Sequence, residues 1–315
     1  MAIQKSDTMS PTLRLLLLLL CLANLPGCAW WRGWAKAPQA PMAFQGPPTI
    51  EQIAQHINSN SVKQLEADRA RISIDGLPSL TARIALERPR NFRFRVETGL
   101  TGPELDVGSN PEMFWMWVKR NEAVFYARHD QFAGSQARQM IPIQPEWISE
   151  ALGVMYFDPA GNHEGPFDRG NHRVEVRSKI AAPDGELTRV LIVNNVYGWI
   201  LEQHLYDPRG QLIASAKSSN HRHYPAEGVS LPHKVEIQLP PAQLAFTLDV
   251  TQYRINALTS SPEQLFTMPK FEGSQLVDVA DPNFQPPRAA AAASVPASDQ
   301  RTTYQPRLRG LSERR

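Results

Sequence analysis

The chain contains 315 residues, of which 33 are basic and 31 are acidic, so its formal net charge is +2. This near balance gives no reason to expect a nucleic-acid partner, because binding to phosphates needs a concentrated basic patch. The hydrophobic share of 42% is ordinary, and the length suits one medium domain with extensions better than two full domains.

The first element is a short apolar stretch near the N-terminus. Lys5 and Arg14 precede an apolar core over Leu15–Ala23, which is shorter than the roughly 20 residues that a membrane-spanning helix needs. A charged start, a short apolar core and small residues after it are typical of a secretory signal. We therefore predict that residues 1–27 are a signal peptide.

The stretch Leu25–Cys28 reads Leu-Pro-Gly-Cys and resembles a lipobox, the motif at which bacterial lipoproteins are cut before an acylated cysteine. The first predicted site is therefore lipidation of Cys28. An ordinary signal peptide with a cysteine there by chance is the alternative. Because Cys21 would be removed with the signal, the mature chain could form no internal disulfide.

Residues 28–48 are predicted to be a lipidated tether rich in Trp and Pro. Trp30, Trp31 and Trp34 follow Cys28, and indole rings favour the membrane–water interface. Docking of these rings against the folded domain is the alternative. The prolines between residues 37 and 48 predict a semi-extended segment rather than a packed element.

A folded domain is predicted over residues 49–281. Thr49 and Gln52 have the spacing of a capping box, which indicates a first helix. As far as Ile255, alternating apolar and polar residues joined by short turns predict about 11–12 antiparallel strands. A second helix is predicted to begin at Pro145 and to end at Gly153. The fold class is therefore mainly β, and residues 282–315 form an Ala/Pro/Arg tail that is predicted to be disordered.

The chain carries no recognisable catalytic motif, so we predict no enzyme activity, no cofactor and no metal site. His221 and His223 would share one strand face, with His204 or His233 nearby. A zinc site normally needs at least three protein ligands, so a solvated polar face is the preferred interpretation. Two further pairs are interpreted as loop residues: His129-Asp130 and His163-Glu164.

The strand predicted at Met113–Val118 is apolar on both faces, whereas a half-solvated strand should alternate. One explanation is a central strand that packs between the core and the helix of Trp147. The other is a strand whose inner face lines an apolar cavity for a lipid chain. Which face points inward is left open. The candidate cavity residues are Phe92, Phe94, Trp115, Trp117, Phe125 and Trp147.

An N-terminal helix, a long antiparallel meander and a helix inserted midway resemble the LolA/LolB lipoprotein-carrier superfamily, which includes the RseB-type sensing domain. The segment Pro89–Phe94 resembles the third strand of that family, and the segment Trp199–Gly210 resembles its later hairpin. The likeness extends over residues 49–281. Its closing elements are matched by Leu231–Val235, Tyr253–Asn256, Phe266 and Pro269.

This resemblance implies a half-open antiparallel β-barrel, closed by α-helices, around an apolar cavity for acyl chains. Cys28 makes the chain more similar to LolB, the anchored acceptor, than to LolA, the soluble shuttle. Ala29 after the cysteine implies the outer membrane, with the domain facing the periplasm. Leu100 matches the exposed loop leucine of the LolB group, with Leu77 as the alternative.

The sequence thus predicts a membrane-anchored envelope lipoprotein, expected to be a monomer, with an acyl chain such as palmitate or a lipoprotein as its ligand. The alternative is a structural or interaction lipoprotein of the envelope with a filled barrel core and no ligand. Its arginine-containing tail would then contact anionic polymers. The long tail is a departure from the LolB pattern.

Overall fold

The computed structural model describes residues 38–59, 62–99, 102–135, 137–140, 145–182 and 185–285. The predicted signal peptide, Cys28, the tryptophans that follow it and Leu100 lie outside these residues. Within the described ranges, no helix is both long and apolar enough to span a membrane.

The helices of the described chain are short. The capping box is confirmed, because Thr49 N donates to Gln52 Oε1 at 2.9 Å and Gln52 N donates to Thr49 Oγ1 at 3.3 Å. The helix predicted from Pro145 is confirmed as α4, which ends at Ala151. The α-helices are α1 Ile50–Ser59, α2 His129–Phe132, α3 Ala137–Met140, α4 Pro145–Ala151 and α5 Pro262–Phe266.

The strands join in one sheet in the order β15-β6-β5-β4-β3-β2-β1-β13-β12-β11-β10-β9-β8-β7, with β14 paired to β1. All neighbours are antiparallel except β15 and β6. The strands are β1 Gln64–Ser73, β2 Leu80–Glu87, β3 Asn91–Thr98, β4 Gly102–Ser109, β5 Met113–Val118, β6 Ala123–Arg128, β7 Asn162–Gly170, β8 Arg173–Ala182, β9 Gly185–Asn194, β10 Ile200–Tyr206, β11 Leu212–Tyr224, β12 Val229–Leu239, β13 Leu244–Val250, β14 Arg254–Ile255 and β15 Gln275–Asp278.

The sheet curls around α4. This helix contacts both β3 and β11, which are five steps apart in the sheet order. In a flat sheet these strands would lie about 24 Å apart, whereas a helix with its side chains is only about 10–12 Å wide. The sheet must therefore bend around the helix, and the predicted mainly-β, half-open barrel closed by helices is confirmed.

Two apolar clusters fill the concave face of this sheet. The main cluster lies under α4, between β1–β3 on one side and β10–β13 on the other. The second lies under α1, where Ile53 and Ile57 pack against Val176, Leu191 and Val193 of β8 and β9. Most of the interior is therefore occupied by side chains.

A segment near the C-terminus, residues 261–278, crosses the convex face of β3–β6; we call it the C-terminal strap. Arg93 Nη1 donates to Leu265 O at 2.9 Å, and Asn110 Nδ2 donates to Phe266 O at 3.2 Å. The strap ends as β15, which pairs in parallel with β6 at the sheet edge. The convex face of this half of the sheet is thus covered as well.

The structure has more strands than the predicted 11–12, mainly because β7 is an extra strand. His163 and Glu164 lie on β7 and not in a loop. This edge strand is largely exposed and contains Gly165-Pro166, so it lacks the alternation that marks a half-buried strand. The loop interpretation of His129-Asp130 was also wrong, because these residues begin α2, whose Phe132 is buried. The count also rises because β14 separates from β13 and because of the short β15, which lies where Gln275–Val279 indicate a last short strand.

Part of the segment predicted to be an extended tether packs onto the domain. Ala43 N donates to Val196 O at 2.7 Å. The Phe44 ring lies edge-on to His56, with 5.4 Å between the ring centroids. The chain is therefore attached to the body of the protein before α1 begins.

Candidate ligand site beside helix α4

The strand register assigns the predicted cavity residues to opposite faces of the sheet. Phe94 pairs with Val107, and Val107 pairs with Met116, so these three side chains share the concave face. Trp115 and Trp117 flank Met116 in sequence and therefore point to the convex face. The two tryptophans do not meet the phenylalanines of β3.

Both convex tryptophans are covered. Trp115 is 0% exposed, and its Nε1 donates to Asp106 Oδ1 at 3.4 Å. Trp117 stacks on Phe271 of the C-terminal strap with 5.1 Å between the ring centroids, and its Nε1 donates to Ser274 Oγ at 3.1 Å. The apolar character of both faces of Met113–Val118 thus has a direct cause, because the strap covers one face and the interior covers the other.

The remaining candidates fall into two regions of the concave side. Phe92, Phe94 and Trp147 belong to the main core. Phe125 packs in a separate cluster at the β6 edge, together with Phe132 of α2. The structure therefore brings together three of the six predicted cavity residues.

A cavity of about 460 Å³ lies on the concave side next to α4. This volume falls within the range of small-molecule sites, about 300–1,000 Å³. Of the predicted residues, Trp147 lines it. Apolar parts of the wall come from Ile180 of β8, Leu187 of β9 and Leu205 of β10.

A buried polar cluster stands at the inner wall of this cavity. Gln203 Nε2 donates to Glu150 Oε2 at 2.8 Å, and Arg189 Nη1 lies 3.5 Å from the same oxygen. Burial raises the pKa of the Glu150 carboxyl, although Arg189 and Gln203 oppose that shift. The α4 helix is therefore tied to β9 and β10 by polar contacts at this wall.

Sequence reasoning missed this cluster, although the sequence contains a signal for it. Arg189 has the same strand parity as Leu187 and Leu191, so an alternating strand places its charge on the buried face. Glu150 stands three residues after Trp147, on the same face of the predicted helix. Charged residues in phase with buried ones indicate a polar site within a core.

A narrower cavity of about 80 Å³ lies on the other side of α4, and Glu150 and Gln203 line it too. Trp199 is stacked between Tyr197 and His221, at centroid distances of 4.5 and 4.8 Å. Burial lowers the pKa of His221 to about 4. An imidazole there is neutral at physiological pH.

The histidines considered for a metal site have separate partners. His221 stacks on Trp199, and His223 Nδ1 lies 3.1 Å from Ser230 Oγ. His204 contacts Ser215 and Glu202, while His233 contacts Tyr224 and the carbonyl of Val250. In the part of the chain that the structure describes, no group of three or more His, Cys, Asp or Glu side chains could hold a metal ion.

No protein-family model matches the chain, and no curated protein matches it significantly. Among solved structures, the chain is similar to a candidate outer membrane lipoprotein-sorting protein domain from Vibrio parahaemolyticus. The identity is 11% and the TM-score 0.47, and the match covers 67% of this chain and 94% of that one.

Two further solved structures give similar values. A DUF1329 family protein from Desulfovibrio piger matches at 10% identity and a TM-score of 0.46, over 68% of this chain and 94% of that one. A LolA superfamily protein from Nitrosomonas europaea matches at 10% identity and a TM-score of 0.44, over 70% and 98%. The superfamily that the sequence pattern resembles is thus represented among the structural matches.

Proposed function

We propose that this protein is a non-enzymatic envelope lipoprotein that holds an acyl chain, free or as part of a lipoprotein, on the concave side of its sheet. The observation that carries the proposal is the cavity of about 460 Å³ beside α4, with its apolar wall of Ile180, Leu187 and Leu205. Each methylene that leaves water contributes about 0.8 kcal/mol, so several buried methylenes suffice for useful binding.

The anchoring part of the proposal rests on the sequence. A lipid on Cys28 would hold the domain at a membrane, and Ala29 favours the outer membrane by resemblance to lipoprotein sorting. Leu100 stays the proposed loop leucine. Of the six proposed cavity residues we retain Trp147 at the cavity wall and Phe92 and Phe94 in the adjoining core. Trp115 and Trp117 are proposed instead to hold the strap.

The rival function is a structural lipoprotein of the envelope that binds no ligand. One observation favours it, namely that the main core is densely occupied by large side chains. Among its fully buried members are Leu65, Ile84, Leu86, Phe92, Leu231 and Ile237. In that case the volume beside α4 would be an incidental surface depression.

Binding of a fluorescent fatty acid to the purified full chain separates the two functions. Substitution of Ile180→Trp adds bulk to a half-buried wall residue of the cavity, and we expect it to weaken binding by about tenfold. The matched control is Leu276→Trp, because Leu276 is 58% exposed on β15 and lies on the opposite edge region of the sheet. The control should bind as the wild type does.

Native mass spectrometry after gentle extraction gives an independent readout. We expect a lipid-sized mass to accompany the wild-type protein. A protein that carries no such mass and takes up no fluorescent fatty acid would support the ligand-free structural role.

A further inference from the structure

Arg189 is a buried cation with weak charge compensation. It lies on β9, its side chain is 10% exposed, and it faces the cavity beside α4. Its contact to a carboxylate is the 3.5 Å approach of Nη1 to Glu150 Oε2, which is long for a charge-assisted hydrogen bond. Burying a charge is costly unless it is paired and hydrogen-bonded.

Glu150 is a poor counter-ion for this guanidinium. Burial raises the pKa of its carboxyl, which favours the neutral acid. Gln203 Nε2 already donates to it at 2.8 Å, while Gln203 Oε1 is buried and has no partner among the described residues. A protonated Glu150 could donate to that oxygen, so glutamic acid and amide would satisfy each other without Arg189.

Two buried donors at this wall have no hydrogen-bond partner in the described chain. They are Arg189 Nε and Trp147 Nε1, and both residues line the cavity. Trp147 and Glu150 lie on the same face of α4, three residues apart, and Glu150 contacts Arg189. The two unpartnered donors therefore border the same cavity, one from α4 and one from β9.

Acidic side chains line the cavity as well. Glu146 is paired through Oε1 to Arg90 Nε at 3.3 Å, whereas its Oε2 is buried and has no partner among the described residues. Asp158 also lines the cavity, as do the side chains of Arg138, Lys179 and His163. The lining thus carries acceptors as well as donors, and the unpartnered donors among the described residues of this lining are Arg189 Nε and Trp147 Nε1.

We infer that the cavity binds a single-chain amphiphile by its anionic head group, which Arg189 and Trp147 would hold while the chain lies against Ile180, Leu187 and Leu205. The inference rests on the proposed function and narrows its ligand class. An acyl chain in amide or ester linkage, as in a lipoprotein, carries no charge at its linked end. A fatty acid or an alkyl phosphate carries a negative charge at its head group.

Competition with matched ligands tests this inference on the wild-type full chain. Dodecanoate, dodecyl phosphate and dodecanol share one chain and differ in the head group, and each would displace a bound fluorescent fatty acid. Hydrogen bonds to a charged group correspond to about tenfold to a hundredfold in affinity. We therefore expect both anions to displace the probe at concentrations lower by that factor than dodecanol.

The outcomes distinguish the two proposals. Equal potency of dodecanol and the two anions would overturn the head-group inference and leave the acyl cavity standing. Failure of all three ligands to bind would remove the proposed function itself. Inorganic phosphate that competes as well as dodecyl phosphate would also overturn the inference, because the chain would then contribute nothing.

Two variants locate the head group. At alkaline pH, where the Glu150 carboxyl loses its proton, Glu150→Gln keeps an acceptor for Gln203 and removes the competing carboxylate, so dodecanoate should bind several-fold more tightly than to the wild type while dodecanol is unchanged. Arg189→Gln should abolish the preference for the anions. The control is Arg95→Gln, which changes an arginine on the convex face that is 43% exposed. This variant should retain the preference for the anions.

Should Arg189→Gln fail to fold, the comparison of Glu150→Gln with the wild type still tests whether Arg189 holds the head group. If Glu150→Gln leaves the ratio of dodecanoate to dodecanol affinity unchanged at alkaline pH, Arg189 does not hold the head group.

Discussion

Gly108 and Trp115 lie opposite each other on neighbouring strands of the convex face. A Cβ atom at Gly108 would lie 2.0 Å from Trp115 Cζ2, and the indole is fully buried. We expect Gly108→Ala to lower the free energy of unfolding by about 1–3 kcal/mol through overpacking. Urea titration measures this loss.

The matched control for that substitution is Gly134→Ala, because no atom lies within 4 Å of a Cβ at this position. An unchanged urea midpoint for Gly108→Ala would contradict the packing of Trp115 against this strand.

His221 makes stability dependent on pH on the acid side. Its folded-state pKa of about 4 lies below the ordinary value of 6.5, so the unfolded chain takes up the proton first on acidification. The stability that the neutral ring contributes above pH 6.5 is therefore lost as the pH falls from 6.5 towards 4. The loss amounts to about 3 kcal/mol at most.

The variant His221→Phe keeps a ring to stack on Trp199 and cannot titrate. We expect its free energy of unfolding to fall less than that of the wild type between pH 7 and pH 4, as measured by urea titration at each pH. Parallel curves for the two proteins would rule out His221 as the source.

For single residues, the sequence shows which side chains are apolar but not which part of the protein covers them. Alternation divides Met113–Val118 into two faces and says nothing about which one lies inside. That choice depends on the strap, whose Phe271 is more than 150 residues away from Trp117 in the sequence. The in-phase charges of Arg189 and Glu150 were visible in the sequence and indicate a polar site.

Among the elements, the C-terminal strap has the most direct test. Substitution of Phe271→Ala removes the ring stacked on Trp117, and we expect it to destabilise the protein by about 1–2 kcal/mol. The tryptophan emission should also shift to longer wavelength as Trp117 becomes hydrated. Fluorescence-detected urea unfolding gives both values.

Phe167→Ala serves as the control, because Phe167 is 41% exposed on the edge strand β7. Unaltered emission and stability in Phe271→Ala would mean that the strap does not hold this face.

Elements with strong local signals were predicted, and those without them were not. The capping box placed α1, and the alternation placed the strands of the meander. β7 escaped prediction because both of its faces are largely exposed. Arg254 and Ile255 were predicted to end the last strand of the meander, whereas they form a separate β14 that pairs with β1. The position of the strap on the sheet depends on long-range contacts.

For the whole molecule, the principal prediction concerns anchoring. Cys28→Ala should move the protein from the membrane fraction to the soluble fraction, because one apolar anchor would be lost. Deletion of residues 282–315 should leave it at the membrane. Fractionation followed by immunoblotting measures both, and retention of Cys28→Ala at the membrane would contradict lipidation as the anchor.

The overall architecture was predictable because the period of two, the absence of βαβ units and the family resemblance indicate the same barrel. The closure of that barrel around α4 was implied only by the resemblance, since it requires β3 and β11 to approach one helix. The polar site beside α4 likewise joins elements that are distant in sequence. Local sequence patterns carry no information about contacts between elements that are far apart in the sequence.

With the proposed lipid on Cys28, the hydrogen bond from Ala43 to Val196 would limit how far the domain can move from a membrane. Fourteen residues lie between Cys28 and Ala43, and the fifteen steps along the chain can extend over roughly 50 Å at most. The tether would leave the domain next to His56 of α1. A lipid-anchored copy could therefore exchange cargo only within this short radius of its own membrane, and a distant membrane would have to be served by a separate, diffusible carrier.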